Sequence, residues 1–160
     1  MIWVVAESMG IEYGQWVKLY QSKHFKDDYP EDNERFHNVV HVDDVGGDRE
    51  QSLLQMRKRM FADHQFSAAV FVGGMGGIRD EFELFRQVHP QALLVPVVST
   101  GGAAATLGRE LDPLSRELTD ELDYVRLFHQ QLGVSVLERR FARPEDQPIE
   151  HEGRLWRRPD

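Results

Sequence analysis

An apolar run that opens onto four closely spaced glycines, and then continues as an amphipathic segment, is the feature that most constrains the fold of this chain. Residues 68–72 are apolar throughout, and they are followed by the glycines Gly73, Gly74, Gly76 and Gly77. The apolar run is typical of a strand, and the spacing of Ile78, Phe82 and Phe85 is typical of a helix with one buried face. Glycines admit a positive φ and let backbone N–H groups approach a ligand at a helix N-terminus. The pattern predicts a phosphate-cradling loop; the alternative is an ordinary glycine-rich α/β turn.

A second loop of small residues favours the cradle over the ordinary turn. Residues 93–98 form another apolar run, and Ser99, Thr100 and two further glycines follow it. Ligands bind at the carboxyl ends of parallel strands, so both loops would face one crevice. The sequence offers Ser99 and Thr100 no base partner, so they are predicted as phosphate or ribose donors rather than nucleophiles. The loop residues predicted to bind the ligand are Gly73, Gly74, Met75, Gly76, Gly77, Ser99, Thr100, Gly101, Gly102 and Ala103.

The order of elements predicts an α/β fold with a mainly parallel sheet, because strand and helix patterns alternate. Strands are predicted at residues 2–6, 39–42, 68–72, 93–98 and 134–137, and helices at 50–64 and 78–89. Residues 7–25 are predicted as loop then helix, and a later helix containing Leu118 and Leu132 should end at Gly133. Residues 1–138 are predicted to form one domain. The charged segment 139–160, with its three prolines, is predicted as a loose tail or an arm onto a partner.

Composition narrows the classes of partner. The chain has 160 residues, no cysteine, a formal net charge of -8 and a sequence pI near 5.3. An acidic chain does not provide the clustered basic surface that nucleic acids or anionic membranes require. The histidines and carboxylates show no metal-ligand spacing, and we predict neither a metal nor a cofactor. With no cysteine and no signal-peptide pattern at the start, a cytoplasmic location is predicted.

Arg57 is the charged residue whose position is most informative. In a helix over residues 50–64 it lies in the middle of the apolar stripe formed by Leu53, Leu54, Met60 and Phe61. A guanidinium in that position must reach a carboxylate, backbone carbonyls or a bound phosphate. Phosphate binding is one prediction; the alternative is an arginine that snorkels to solvent or pairs with a carboxylate in the sheet. Lys58 and Arg59 face away from the stripe and are predicted to be solvated.

Two acids follow the first glycine loop. Helical periodicity places Glu81 within the buried face of its helix, and it places Asp80 nearly opposite. Acids in a first helical turn also stabilise the helix dipole, so a purely structural role is the alternative for both. As functional groups, Asp80 and Glu81 are the candidate catalytic residues, because an acid beside a phosphate loop can act as an acid or base or contact ribose hydroxyls.

Taken together, these residues carry a resemblance. Met56–Arg57–Lys58 and the stretch from Ala68 to Asp80 resemble the Arg-bearing helix and Gly-Gly-x-Gly-Thr-x-x-Glu loop of the lysine-decarboxylase-like or "lonely guy" (LOG) nucleoside-monophosphate phosphoribohydrolases. With the second loop added, the chain looks closer to the wider SLOG group of Rossmann-like domains, many of which sense nucleotide-derived signals. The resemblance implies a Rossmann-like three-layer sandwich that binds an ADP-ribose-like molecule or a nucleoside phosphate, with Arg57 on phosphate.

The chain also departs from the hydrolase pattern. The motif's Thr is Gly77 here and its Glu is Asp80, and the additional N-terminal strand and glycine loop of many members are expected to be either lacking or replaced by the short stretch at residues 7–10. Sensing is therefore favoured over turnover. The alternative is an N-glycosidase that cleaves a nucleoside monophosphate or NAD, with Asp80 or Glu81 activating water. A third possibility is an interaction module that uses residues 139–160. A homo-oligomer or a larger assembly is expected.

Overall fold

The chain is described by a computed structural model that covers residue 8, residues 10–111 and residues 122–156. The strand predicted at residues 2–6 and the position of Leu118 lie outside these ranges. The chain divides into two compact units. The first unit comprises Met1–Met56 with Ser135–Asp160, and the second comprises Arg57–Val134. The prediction of one domain over residues 1–138 stays a prediction.

The structure is a mixed α/β fold in which all four strands of the described ranges pair in parallel. The elements predicted between residues 39 and 98 are confirmed, and their ends shift by at most two residues. Short 3-10 helices occupy Lys23–Asp28, Glu31–Arg35, Val98–Thr100, Pro144–Asp146 and His151–Arg154. The helices and strands are α1 Tyr13–Trp16, β1 Lys18–Ser22, β2 Asn38–Val42, α2 Arg49–Ala62, β3 Ala68–Val72, α3 Gly76–Val88, β4 Leu93–Val97, α4 Gly102–Leu111 and α5 Tyr124–Leu132.

In the first unit, the prediction of loop then helix over residues 7–25 was wrong in part. Within residues 10–25, α1 is the α-helical element, and β1 follows it as a strand paired in parallel with β2, with Lys18 opposite Asn38 and Ser22 opposite Val42. A strand is stabilised by its neighbour's backbone, so pairing overrides a weak local helix pattern. Asp48 caps the start of α2, because its carboxylate accepts the Gln51 N–H at 3.0 Å.

The C-terminal segment packs within the first unit. The carbonyl of Ala142 accepts hydrogen bonds from the Glu12 N–H at 3.0 Å and from the Trp16 indole N–H at 3.1 Å. The strand predicted at residues 134–137 was wrong, because the Ser135 hydroxyl accepts the Leu137 N–H and holds the chain in a local turn. A single antiparallel bridge joins Glu138 to Leu155. The described part of the predicted tail is therefore folded back rather than loose.

The second unit is built around the parallel pair β3 and β4, whose two faces carry separate apolar clusters. The first cluster is Val95, Val97, Val98, Ala105 and Leu127, with Phe128 and Leu132 packed against it. The second is Phe71, Phe82, Ala104 and Leu107, with Ala69, Ile78 and Leu94 packed against it. Helix α5 covers the first cluster and ends at Gly133 in the left-handed conformation, as predicted. No helix in the described ranges combines the length and apolarity needed to cross a membrane.

Candidate functional site

The two glycine loops lie side by side in the second unit. Val72 is opposite Val97 in the register of β3 and β4, so both loops begin at the same edge of the sheet. Backbone atoms then join them directly. The Ala103 N–H donates to the Gly74 carbonyl and the Ala104 N–H donates to the Gly73 carbonyl, both at 3.0 Å. The first loop thus satisfies N–H groups in the first turn of α4, and the two loops form one hydrogen-bonded structure.

Two of the predicted glycines are required by this packing. Gly74 has φ +80° and Gly102 has φ +59°, both in the left-handed region. A Cβ atom at Gly74 would overlap the Ile78 side chain, and one at Gly102 would overlap the Gly74 carbonyl oxygen. The space beside these glycines is therefore occupied by protein. A ligand therefore has no room beside the Cα atoms of Gly74 and Gly102, and it could contact these residues only at their N–H or carbonyl groups.

Gly76 and Gly77, at the start of α3, differ from these two. Both are exposed, and an added Cβ at Gly76 would meet no atom within 4 Å. Among the described residues, no acceptor lies opposite the backbone N–H groups of Gly76 and Gly77. The preceding Met75 is 86% exposed. First-turn N–H groups at a helix N-terminus attract anions, so this corner is the part of the loops open to a ligand.

In the second loop, the two hydroxyls predicted as donors have different surroundings. The Thr100 hydroxyl accepts the Gly73 N–H at 2.8 Å and donates to the Val97 carbonyl at 2.5 Å. It serves as a clamp between the loops. The Ser99 Oγ lies 3.4 Å from the hydroxyl oxygen of Tyr124, the first residue of α5. The sequence reasoning missed Tyr124, although an aromatic residue directly after the helix-capping Asp123 was a signal that could have been noticed.

Arg57 is buried, as its position on the helix predicted, and its guanidinium is bonded to α3. Its Nε donates to Glu81 Oε1 and its Nη2 donates to the Gly77 carbonyl, both at 3.1 Å. Its Nη1 lies 3.7 Å from Asp80 Oδ2. Arg57 therefore pairs with a carboxylate, as in the alternative prediction, but this carboxylate lies on helix α3 and not in the sheet. Direct contact between Arg57 and a phosphate stays a prediction.

The two candidate acids are neighbours in the first turns of α3, and Glu81 is the more buried of the two, as the periodicity indicated. Asp80 has a side chain that is 63% exposed, whereas that of Glu81 is 29% exposed. Both face the same guanidinium. Because one Glu81 oxygen already accepts a hydrogen bond from Arg57, this carboxylate orients the arginine and fixes α2 against α3.

A cavity of about 230 Å³ lies along β3. Every residue of β3 contributes to it, together with Met60 and Phe61 of α2 and Ile78, Glu81 and Phe85 of α3. Phe66 also lines it. The lining is apolar apart from the Glu81 carboxylate, which is close to the Arg57 pair but outside the glycine loops.

Two of the histidines, His24 and His89, have structural partners. His89 is buried, and its Nε2 lies 2.8 Å from the Phe61 carbonyl oxygen within a cluster of aromatic rings. In the first unit, His24 Nδ1 lies 2.7 Å from Asp44 Oδ1. Across the part of the chain that the structure describes, no group of three or more histidines and carboxylates is arranged to hold a metal ion.

Asp44 gives the first unit a pH-dependent contact. A hydrogen bond from the Gly47 N–H lowers the pKa of Asp44 from its ordinary 3.8, and His24 and Ser52 lower it further. A lowered folded-state pKa stabilises the fold above pH 3.8, and this contribution is lost as the pH falls through the folded-state value. We expect the stability difference between the wild type and Asp44→Asn to shrink as the pH falls below about 4. Urea unfolding from pH 2.5 to 7 measures it, and a difference independent of pH would contradict this expectation.

Comparison with known proteins places both loops within a described family. A family model described as the SLOG cluster3 family matches residues 1–132. This range includes Arg57, the two glycine loops and Tyr124. No curated protein matches the chain significantly, and no solved structure does.

Proposed function

Because the chain belongs to the SLOG cluster3 family, we propose that it binds a nucleotide- or NAD-derived ligand at the two glycine loops of the second unit. The ligand class is an ADP-ribose-like molecule or a nucleoside phosphate, and the role is sensing. Family membership supports a nucleotide-related function. We further propose that the chain forms a Rossmann-like three-layer sandwich and that it assembles into oligomers.

The observation that carries the proposal is the corner at Gly76 and Gly77. Two loops are joined through backbone hydrogen bonds, and their open N–H groups lie at the N-terminus of α3, a helix of 13 residues. Such a corner suits a phosphate because the N–H groups and the helix dipole act on the same anion. The frame is held by Thr100, which is bonded on both sides. Little reorganisation is then needed when a ligand binds.

Sensing is favoured over turnover by the surroundings of the acids. Glu81 accepts a hydrogen bond from Arg57, and Asp80 is the shorter acid where the resembled motif has Glu. A positioned acid or base contributes about 10²–10⁴-fold to a rate, so a misplaced carboxylate removes most of the turnover. Purified protein is expected to release little or no adenine from AMP and little or no nicotinamide from NAD.

The N-glycosidase remains the second candidate, because Asp80 and Glu81 both lie beside one guanidinium. Chromatography of reaction products decides between the two. Robust release of adenine or nicotinamide that is lost in Glu81→Gln and retained in Asp80→Asn would replace the sensor by an enzyme.

Thermal unfolding with a ligand panel tests binding directly. A ligand that binds only the folded state stabilises it by about 2.7 kcal/mol at a hundredfold excess over Kd. For a chain of this size we expect the midpoint to rise by about 5–10 °C with the best of ADP-ribose, NAD and AMP. Sulfate should have a weaker effect. If no member of the panel shifts the midpoint at millimolar concentration, the binding proposal fails.

Gly76→Asp tests the location of the site. A carboxylate in the first turn of α3 favours the helix dipole, and the added Cβ meets no atom within 4 Å. The same charge repels a phosphate above the N–H groups, so binding should weaken about tenfold or more while stability is unchanged or higher. Gly76→Asn is the matched neutral control. Equal affinities in the Asp and Asn variants would place the anion elsewhere.

A further inference from the structure

A nucleotide has a flat aromatic base as well as a phosphate, and the glycine loops provide contacts only for the phosphate and ribose. Binding sites for such ligands place an aromatic or apolar side chain against the base. On the basis of the proposed function, one side chain of the second unit should contact the base.

Tyr124 is the aromatic residue in a position to do this. Its hydroxyl oxygen lies 3.4 Å from Ser99 Oγ, and Ser99 belongs to the 3-10 helix that directly follows β4. The side chain is therefore at the same edge of the sheet as the loops. It is also 39% exposed, so part of the ring surface is open to a ligand.

The helix that carries Tyr124 is firmly held. Leu127, one turn further along α5, is fully buried in the cluster on β4. The Asp123 carboxylate caps the helix by accepting the Arg126 N–H at 3.1 Å. A ring mounted on a helix that is capped at its start and anchored by a buried leucine has less freedom to lose, which lowers the entropic cost of stacking.

The other aromatic side chains of the second unit are committed to packing. Phe71 and Phe82 form one buried cluster, and Phe128 packs in the other. The rest form an edge-to-face group that consists of Phe61, Phe66 and Phe85. Among the described residues of this unit, Tyr124 is the exposed aromatic residue with a contact to a ligand loop.

We propose that Tyr124 is the specificity-determining residue of the site and stacks on the base of the bound nucleotide. Stacking a base on an aromatic side chain changes affinity by about five- to a hundredfold. The effect depends on the ring and not on the hydroxyl. Stacking also requires a base, so the affinity for a sugar phosphate that lacks a base should not change when Tyr124 is substituted.

Isothermal titration with AMP and with ribose 5-phosphate tests this on the full chain. Tyr124→Ala should weaken AMP binding about tenfold or more and leave ribose 5-phosphate unchanged, and Tyr124→Phe should bind both as the wild type does. Equal loss of both ligands, no loss of AMP, or an equal loss in Tyr124→Phe would each overturn the stacking role. If the wild type binds none of AMP, ribose 5-phosphate and ADP-ribose, the proposed function itself fails, and the stacking role fails with it.

An NMR measurement checks the contact without relying on a destabilising variant. The chain has four tyrosines, and in a tyrosine-labelled sample the Tyr124 ring signal is the one missing from Tyr124→Phe. A stacked base shifts ring protons upfield by its ring current. We expect AMP to shift this signal and ribose 5-phosphate to leave it in place; an unmoved signal at saturating AMP would overturn the proposal.

Discussion

Replacing Gly102 with valine is expected to destabilise the second unit severely. The residue has φ +59°, and an added Cβ would overlap the Gly74 carbonyl oxygen that accepts the Ala103 N–H. A β-branched side chain in the left-handed region is itself strained, and overpacking adds to it. Together these effects should lower the free energy of unfolding by about 3–5 kcal/mol, a large part of a typical domain's stability. Gly74→Val should behave similarly, because its Cβ would overlap Ile78.

Gly76→Val is the matched control for these substitutions. Gly76 lies in the same loop as Gly74, and its φ is not positive. An added Cβ at Gly76 would meet no atom within 4 Å. Circular dichroism and urea unfolding should show that Gly76→Val is as stable as the wild type and that Gly102→Val and Gly74→Val have lost much of their stability. If Gly102→Val and Gly74→Val fold as well as Gly76→Val, the loops do not pack as described. The result needs no ligand, so it is independent of the proposed function.

Arg57→Met is expected to lower the free energy of unfolding by about 2–4 kcal/mol. The substitution keeps an apolar stem in the stripe of α2 but leaves the Glu81 carboxylate and the Gly77 carbonyl without their donor. Breaking a fully buried ion pair costs about 3–5 kcal/mol, and the partial exposure of Glu81 reduces this figure. Urea unfolding without ligand measures the loss.

Two further variants identify the cause of that loss. Arg59→Met removes a guanidinium of the same helix that pairs with Asp63 at the surface, and it should cost less than about 1 kcal/mol. Adding Glu81→Met to Arg57→Met removes the unpaired carboxylate and should recover much of the stability. Equal losses from Arg57→Met and Arg59→Met would mean that the buried Arg57–Glu81 pair contributes no more stability than a surface ion pair.

The strand β3, the two loops and the burial of Arg57 could all be predicted from sequence, because each depends on local pattern. Periodicity gave the side of α2 on which Arg57 lies, and it distinguished Glu81 from Asp80. What periodicity could not give was the partner of Arg57. A guanidinium donates hydrogen bonds to a carboxylate or to a phosphate equally well, and Glu81 comes within reach of Arg57 only through the packing of α2 against α3.

Features that depend on distant parts of the chain could not be read from local pattern. β1 is a strand because β2 runs beside it, and its own residues carried no clear strand signal. The Thr100 hydroxyl was predicted as a ligand donor, whereas its two hydrogen bonds are to Gly73 and Val97. Tyr124 was missed because 25 residues separate it from Ser99. The binding roles of the loop residues stay predictions.

The hydrogen bonds that join the loops have a consequence for how such a site can diversify. They connect main-chain atoms of Gly73 and Gly74 to main-chain atoms of Ala103 and Ala104, and every residue type except proline carries both of these groups. Side chains at Met75, Ser99 and Ala103 can therefore be exchanged while the frame persists. New ligand preferences can arise on this scaffold by substitution around a constant backbone, without redesign of the loops themselves.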